Sequence, residues 1–286
     1  MPLEYSIIYS AENRYDRIVK NAVWQFLIVP EDNENQELIS FDFSNSLHIP
    51  IQSSINGYGF TTLRLNPKVP FKDIRFRASF TLRKQEVNPF DFIPAQDHML
   101  DFGLIDSLDF KVAFEPFLRI TGFTELPEHK GGLFEFNSEQ SVFNNLLALN
   151  HWVYLHLYFQ PGVTHVGTIL AEIIKSRKGV CQDFTHLFCA LARKNKVPAR
   201  YVSGYLHQGS GYFGDSQMHA WAEAYVPDAG WIGFDPTNDI LAGNSHIKVA
   251  HGKDYQDCSP LKGVIFAPGK NRTSHSVEVS ARQAQQ

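Results

Sequence analysis

The sequence predicts an α+β protein in which a small β-sandwich precedes helices packed on an antiparallel sheet. Three observations support this prediction. Short runs of alternating apolar and polar residues fill the first third of the chain, as in residues 75–83. A helical apolar period begins near Ser138, and alternating runs return from Ala199 onward. Helices followed by strands, rather than a strict alternation of the two, favour an antiparallel sheet.

The first hundred residues are predicted to form the β-sandwich and a linker. Further short strand-like runs surround Ile7, Phe26 and Phe41, and Asn56-Gly57 supplies a turn between two strands. Residues 88–101 are rich in Pro, Asp and Phe and are interpreted as the linker. We therefore predict a β-rich domain with its linker in residues 1–100 and a core domain in residues 101–286, which ends in a C-terminal strand.

The core domain is predicted to contain three helices and then three strands. The first helix starts near Ser138 and ends at residues 160–162, and the second covers residues 169–176. The third begins at Cys181, with an apolar stripe on one side. The strands follow at residues 199–206, 219–226 and 231–235, and one more alternating run lies at residues 276–280.

Composition excludes several classes of protein. Among 286 residues, 43% are hydrophobic and 20% are charged, which is typical of a globular chain. The formal net charge of −4 disfavours a nucleic-acid binder, which would present a basic face. No apolar stretch is long enough to cross a bilayer, so no membrane partner is predicted. Three cysteines and an N-terminus without signal-peptide features lead us to expect a cytoplasmic location. The oligomeric state has no signal in the sequence.

Cys181 is the candidate nucleophile. It follows Gly179-Val180 and opens a predicted helix, where unpaired backbone N–H groups and the helix dipole favour a thiolate. The glycine allows a sharp turn and leaves room for a substrate. The thiolate, not the thiol, is the reactive species, so a neighbouring imidazolium would stabilise it further.

The candidate imidazole is His219, at the start of a strand whose alternation puts it on one face with Trp221, Glu223 and Tyr225. A turn then leads to a second strand that ends at Asp235. If Tyr225 pairs with Trp231, Trp221 lies opposite Asp235, and His219 is the diagonal neighbour of Asp235 on the same face. A carboxylate there would fix the tautomer of the ring, whereas a shift of one residue would separate the two side chains.

These segments resemble those of bacterial transglutaminase-like proteins. Residues 177–186 resemble the nucleophile segment, residues 197–205 the strand after it, and residues 218–223 and 230–238 the histidine and aspartate segments. The resemblance implies a papain/transglutaminase-like core in which Cys181 is the nucleophile, His219 the general acid and base, and Asp235 the residue that orients His219. Residues 246–257 resemble a downstream block of the same subgroup, with Lys253 in place of its arginine. The N-terminal strands are similar to the β-rich domain that precedes this core.

Each of these residues also has a structural interpretation. Cys181 could be a buried core cysteine, His219 a hydrogen-bonded strand residue, and Asp235 part of an Asp-Pro turn. Cys189 is interpreted as a packing residue and Cys258 as a loop thiol. His186 shares the helix of Cys181, but the chain lacks the Cys-x-x-Cys and His-x-x-x-His pairs typical of zinc sites. We therefore predict no metal and no organic cofactor.

The predicted function is cysteine-dependent acyl transfer, in which a peptide or amide bond is cleaved through a thioester, as in a cysteine protease or amidase. The backbone N–H of Cys181 is one expected donor to the oxyanion, and the sequence does not reveal a second. Two alternatives stay open. An amine acceptor would make the chain a protein-glutamine transglutaminase, and loss of activity would make it a binding or scaffold protein. A protein or peptide is the expected substrate, and the N-terminal domain could recruit it.

Overall fold

The computed structural model describes residues 2–86, 88, 90, 92, 98–128, 133–207, 213, 217–227 and 229–283, with the backbone alone for residues 98–100. It confirms the predicted α+β class. Two four-stranded antiparallel sheets form the sandwich, in the strand orders β15-β1-β6-β3 and β14-β2-β5-β4. Their strands are β1 (Leu3–Val19), β2 (Asn21–Phe26), β3 (Gln36–Asn45), β4 (Gln52–Ile55), β5 (Thr61–Leu65), β6 (Phe71–Lys84), β14 (Leu261–Phe266) and β15 (Asn271–Gln283).

In β1 and β6, alternating apolar residues place one face of the strand in the sandwich interior. In β6, Phe76 and Phe80 are buried while their neighbours on the chain are exposed or half-buried. Trp24 packs its ring against Phe76, with centroids 5.4 Å apart in an edge-on arrangement. The predicted turn at Asn56 joins β4 to β5, and the Asn56 side chain accepts hydrogen bonds from the backbone N–H groups of Tyr58 and Phe60.

The last two strands of the chain complete the sandwich. β14 pairs with β2, and β15 pairs with β1 from Leu3↔Gln283 to Tyr15↔Asn271. The sequence-based division placed the C-terminal strand with the core domain, in residues 101–286. The structure instead inserts the core between β6 and β14. Alternation in residues 276–280 identified a strand, but it carries no information about a pairing partner at the other end of the chain.

A five-stranded antiparallel sheet, β12-β11-β10-β9-β13, forms the centre of the core. Strands β9 and β10 have the predicted limits, and β11 begins one residue earlier than predicted. The strands of this sheet are β9 (Ala199–Leu206), β10 (His219–Val226), β11 (Gly230–Asp235), β12 (Ile240–Leu241) and β13 (His246–Gly252). The helices around it are α4 (Val142–His156), α5 (Leu170–Ser176), α6 (Cys181–Lys194) and α7 (Tyr255–Cys258).

The central sheet is covered on both faces. On one face, the alanines of β10 pack against α6, because Ala222 and Ala224 share a buried cluster with Phe184 and Phe188. On the other face, side chains of the sheet enter the sandwich interior. Tyr205, for example, is fully buried there and donates its hydroxyl proton to the carbonyl oxygen of Ile28, at 2.6 Å. This face of the central sheet and the sandwich therefore share one buried cluster.

Several helical features differ from the prediction. Three short helices were not predicted: α1 (His98–Asp106) begins inside the predicted linker, and α2 (Leu108–Ala113) and α3 (Glu115–Leu118) follow it. Residues 89, 91 and 93–97 of that linker lie outside the described residues. Helix α4 ends before the predicted stop because Tyr158–Phe159 becomes strand β7 and pairs with β8 (Lys178–Gly179). None of the helices in the described part of the chain combines the length and apolar character needed to cross a membrane.

Candidate active site

Cys181 is the first residue of α6, as predicted, and its side chain is half-buried. The turn into the helix is fixed by Asp183, whose Oδ2 accepts from the backbone N–H of Val180 at 2.8 Å and from the Thr164 hydroxyl at 2.7 Å. Gly179 makes this possible, because a Cβ there would lie 2.6 Å from Asp183 Oδ2. These contacts hold the thiol at the positive end of an α-helix of 14 residues.

His219 and Asp235 lie on the same face of the central sheet. The β10–β11 register pairs Tyr225 with Trp231, as predicted. His219 Nε2 is 2.8 Å from Asp235 Oδ2, and both side chains are fully buried. The alternative register, which would have put the two side chains on opposite faces, is therefore wrong. The sequence had placed the histidine and the carboxylate in contact by strand geometry alone.

The Asp235 carboxylate receives three further hydrogen bonds. Its Oδ1 accepts from the backbone N–H of Thr237 at 3.0 Å, and its Oδ2 accepts from Asn238 Nδ2 at 2.8 Å. The third donor is His246 Nε2, at 3.1 Å from Oδ2. His246 Nδ1 accepts from the backbone N–H of Gly243, so the proton of a neutral His246 ring resides on Nε2. Asp235 is thus a buried carboxylate whose oxygens are fully used.

The electrostatics of this group favour an ionic pair. Burial lowers the pKa of His219, but the Asp235 carboxylate outweighs it and raises that pKa to about 10. Burial raises the pKa of Asp235, yet His219 and His246 together hold it far below its usual range. Burial lowers the pKa of His246, only partly opposed by Asp235. At neutral pH the site therefore holds a charged His219, a charged Asp235 and a neutral His246.

The remaining nitrogen of His219 is available to the thiol. Nδ1 is buried and has no hydrogen-bond partner of normal geometry in the described structure. Cys181 is close enough to contribute to the raised pKa of His219. Because Nε2 is committed to Asp235, proton exchange with the sulfur would take place at Nδ1. Cys181, His219 and Asp235 thus have the connectivity of a nucleophile, a base and an orienting carboxylate.

Cys181 and His219 open into a cavity of about 450 Å³. The core contributes residues of α6, β9, β10 and α7 to its lining, and the sandwich contributes residues of β1, β2, β14 and β15. A volume of this size is typical of a site for a small ligand or for part of a longer one. The N-terminal domain is therefore a wall of the candidate active site, which the sequence did not reveal.

The other residues weighed from the sequence have structural surroundings. Cys189 is buried in the helix core, and burial raises the pKa of its thiol to about 11. Cys258 was interpreted as a loop thiol, but it ends α7 and is fully buried in a small cluster with Tyr201 and Ala220. His186 is buried and stacked on Phe123, and its Nε2 accepts the backbone N–H of Tyr255.

Sequence reasoning did not identify Asn238 or His246 as part of the site. Asn238 follows Asp235 in the quoted aspartate segment, and His246 opens the downstream block whose role was unassigned. The signal for His246 was its position at the start of an alternating run, but only the β13–β9 pairing brings it next to Asp235. His219, Asp235 and His246 each offer a ligand atom within 4.8 Å of the others, a spacing that would also suit a metal ion.

Comparison with known proteins identifies relatives of the core. Residues 135–236 match the family described as the transglutaminase-like superfamily. An uncharacterized protein of Mycobacterium leprae is 36% identical over 139 residues, which cover 47% of this chain and 49% of that protein. A protein-glutamine gamma-glutamyltransferase of Pseudomonas aeruginosa is 28% identical over 101 residues, which cover 33% of this chain and 15% of that protein.

One solved structure shares the whole fold. The crystal structure of a candidate cysteine protease from Cytophaga hutchinsonii superposes with a TM-score of 0.70 at 20% identity, covering 100% of this chain and 92% of that one. At this identity the likeness shows the fold alone. The matches to curated relatives span about half of their length or less, as the 49% for the M. leprae protein shows.

Proposed function

We propose that this chain, whose core belongs to the transglutaminase-like superfamily, cleaves a peptide or amide bond by cysteine-dependent acyl transfer. Cys181 is the nucleophile, His219 the general acid and base, and Asp235 the residue that orients and charges the imidazole. The observation that carries the proposal is the 2.8 Å contact between His219 Nε2 and Asp235 Oδ2, which leaves Nδ1 for the thiol. A protein or peptide is the proposed substrate.

The proposed mechanism starts from the Cys181 thiolate and the His219 imidazolium. The sulfur attacks the carbonyl carbon, and the Cys181 backbone N–H at the helix start stabilises the oxyanion. His219 gives its Nδ1 proton to the departing amine, which leaves a thioester and a neutral ring. Water then loses a proton to Nδ1 as it attacks the thioester, and the acid and the free thiolate are regenerated. Asp235 keeps its charge throughout.

Water is the acceptor that the site geometry favours. The rim of the cavity includes exposed residues of β15, such as Thr273 and His275, so bulk water reaches the thioester. An amine acceptor is the second candidate, and the match to the P. aeruginosa gamma-glutamyltransferase supports it. Both outcomes pass through the same thioester, so they differ only in its second step.

The first test is the alkylation rate of each cysteine by iodoacetamide as a function of pH, with mass spectrometry to locate the adduct. We expect Cys181 to react well below pH 8.5, the ordinary pKa of a thiol, and His219→Ala to abolish this reactivity. Cys189 and Cys258 are internal controls, since burial raises the pKa of both thiols. If Cys181 reacts only near pH 8.5 in the wild type, the acyl-transfer proposal fails.

The second test separates the possible outcomes for a substrate. A glutamine-containing peptide is incubated with the enzyme and a labelled amine, and ammonia release, peptide cleavage and amine incorporation are measured together. Cleavage or ammonia release in excess of incorporation supports a hydrolase, and dominant incorporation would make the chain a transglutaminase. A Cys181→Ala variant that keeps full biological function would instead identify a binding or scaffold protein.

A further inference from the structure

We propose that the mouth of the β-sandwich, where β1, β2, β14 and β15 line the cavity beside Cys181, binds the acyl-donor side of the substrate. The portion of the substrate bound there is an extended, uncharged peptide segment, and the hydroxyls of Tyr15 and Ser203 hold it. The inference rests on the proposed function, because it assigns a substrate class to the same cavity. It adds Ser203 of the core and Tyr15 of the sandwich, and with Tyr15 a recognition surface from outside the core domain.

The cavity that contains Cys181 and His219 continues into the sandwich. Ser203 lies in β9, between Tyr201, which packs near Cys181, and Tyr205, which enters the sandwich interior. Tyr15 lies in β1 and lines the same cavity from the sandwich. A segment bound between these two residues would start at the reactive thiol and end between the two sheets.

Both hydroxyls are buried without a hydrogen-bond partner of normal geometry, and the Tyr15 hydroxyl makes only a weak contact with the Trp24 indole. Tyr15 is 6% exposed and Ser203 is 3% exposed, and neither the Tyr15 hydroxyl nor Ser203 Oγ makes a hydrogen bond of normal geometry in the described structure. Leaving a buried hydroxyl unpaired costs free energy, so native proteins rarely do it without a reason. Burial raises the pKa of Tyr15 to about 12, although the Trp24 indole partly opposes this, so the hydroxyl keeps its proton. The two groups are available to a ligand.

The charges around the cavity favour a neutral ligand. Among the described lining residues there is no lysine or arginine. The one carboxylate is that of Asp183, which is fully buried at the start of α6; its Oδ2 is engaged by Val180 and Thr164, and its Oδ1 has no hydrogen-bond partner of normal geometry. His275 lies at the rim, and partial burial lowers the pKa of its ring. Away from Cys181, Asp183 and His219, an ionic group on the substrate would lose its hydration here without gaining a counter-ion.

The chemistry of the walls fits a peptide. A hydroxyl both donates and accepts, so it can satisfy either the N–H or the carbonyl of a peptide group. The rings of Tyr9 and Trp24 supply apolar surface beside these hydroxyls. β14 and β15 are the outermost described strands of their two sheets, and both contribute to the lining. An extended segment that enters the mouth therefore meets strand edges as well as side chains.

The test uses thiol-reactive tripeptides that carry a vinyl sulfone at the carboxyl end, which places the peptide on the acyl-donor side. An acetylated trialanine reagent is compared with reagents of equal length that contain Asp or Lys, and with iodoacetamide, which has no peptide. The measured quantity is the second-order rate constant for modification of Cys181. We expect the uncharged reagent to be the fastest of the three peptides.

The variants Tyr15→Phe and Ser203→Ala each remove one hydroxyl. We expect each to slow the trialanine reagent about threefold to tenfold, the effect of one lost hydrogen bond, and to leave the iodoacetamide rate unchanged. Their melting temperatures should equal or exceed that of the wild type, since an unpaired buried hydroxyl is removed. Matched controls are Tyr158→Phe, at an exposed tyrosine, and Ser54→Ala, at a serine bonded to Thr62.

Other results would overturn the inference. Faster modification by a charged tripeptide would exclude the uncharged class, and unchanged trialanine rates in both variants would exclude the two hydroxyls. A parallel loss of the iodoacetamide rate and of thermal stability would show a structural role instead. If iodoacetamide itself reacts slowly with the wild type, the proposed function fails separately. Calorimetric titration of acetyl-trialanine amide into Cys181→Ala, with and without Tyr15→Phe, then decides the binding proposal without any reaction.

Discussion

His219 and His246 donate to the same oxygen of Asp235. Their rings lie 6.1 Å apart between centroids, and their Nε2 atoms are 2.8 Å and 3.1 Å from Asp235 Oδ2. The two histidines nevertheless carry different charges, because the pKa of His219 is raised and that of His246 is lowered. The negative charge of one carboxylate is therefore shared between a ring that titrates with the thiol and a ring that stays neutral.

Replacing His246 with Phe should change the titration of His219. The variant removes one donor from Asp235 and keeps a ring of similar size, so more of the carboxylate charge acts on His219. We expect the upper inflection of the Cys181 alkylation profile to move to higher pH, by up to about one unit. His151→Phe is the control, because His151 pairs with Asp239 at the surface. A downward shift, or none, would contradict a charge-sharing role for His246.

Replacing Asp235 with Asn should uncouple the thiol from the imidazole. The pKa of His219 then loses the carboxylate that raises it, while burial continues to lower it. We expect the rate of Cys181 alkylation at pH 6–7 to fall about tenfold to a thousandfold, since a close opposite charge typically shifts a pKa by one to three units. Asp239→Asn, at an aspartate that pairs with His151, should keep the wild-type rate. Wild-type reactivity in Asp235→Asn would remove Asp235 from the proposed mechanism.

Replacing Gly204 with Ala should destabilise the fold next to His219. Gly204 pairs with His219 across the sheet, and the Trp221 ring crosses over it. A Cβ at Gly204 would collide with the carbonyl oxygen of Ile247 and lie 2.5 Å from Trp221 Cη2. We expect a loss of about 2–3 kcal/mol in the free energy of unfolding, measured by urea denaturation. Gly57→Ala, at a glycine with no atom within 4 Å of the added Cβ, should change it little. Equal effects at both sites would refute this packing argument.

The half-buried Glu223 should make part of the stability dependent on pH. Burial raises its pKa, but Lys248 and Arg200 outweigh this and lower it to about 2. A carboxyl whose pKa is depressed by folding contributes stability above its unfolded pKa of about 4.3, and this contribution is lost as the pH falls towards 2.

The Glu223→Gln variant isolates this contribution. It leaves Arg200 and Lys248 without their shared carboxylate, so we expect a loss of about 3 kcal/mol at pH 7. The difference from the wild type should shrink between pH 4.3 and pH 2, as measured by urea denaturation at several pH values. Asp235 is still present in both proteins, so its own pH dependence cancels in the comparison. A difference that is constant with pH would contradict the linkage.

The sequence predicted those parts of the site that depend on the spacing of apolar residues along a single helix or along neighbouring strands. The helix start at Cys181 follows from the apolar stripe of α6, and the contact of His219 with Asp235 follows from strand alternation and one short turn. Both arguments need only residues that are near each other along the chain. Strands β9, β10 and β11 of the central sheet were predicted for the same reason, whereas β12 and β13 were not.

The remaining parts depend on contacts between distant segments. Strand β13 brings His246 to Asp235 by pairing with β9, and β1, which pairs with β15, brings Tyr15 to the cavity. The alternation of apolar and polar residues within a strand does not show which other strand it pairs with. The short helices α1, α2 and α3 were missed because none is long enough to show a helical period. A buried hydroxyl such as Ser203 cannot be distinguished by sequence from an ordinary strand serine, since its burial is a property of the assembled layers.

The pairing of β1 with β15 has a consequence for biosynthesis. Arg282 and Glu4, which form an ion pair across these two strands, are 278 positions apart along the chain. During translation, β1 therefore leaves the ribosome long before β15, the strand that pairs with its edge, has been synthesised. Until then the long edge of β1 can pair with other nascent chains. Folding of the sandwich must wait for translation of the final strands, and premature termination upstream of β15 would leave an aggregation-prone edge exposed.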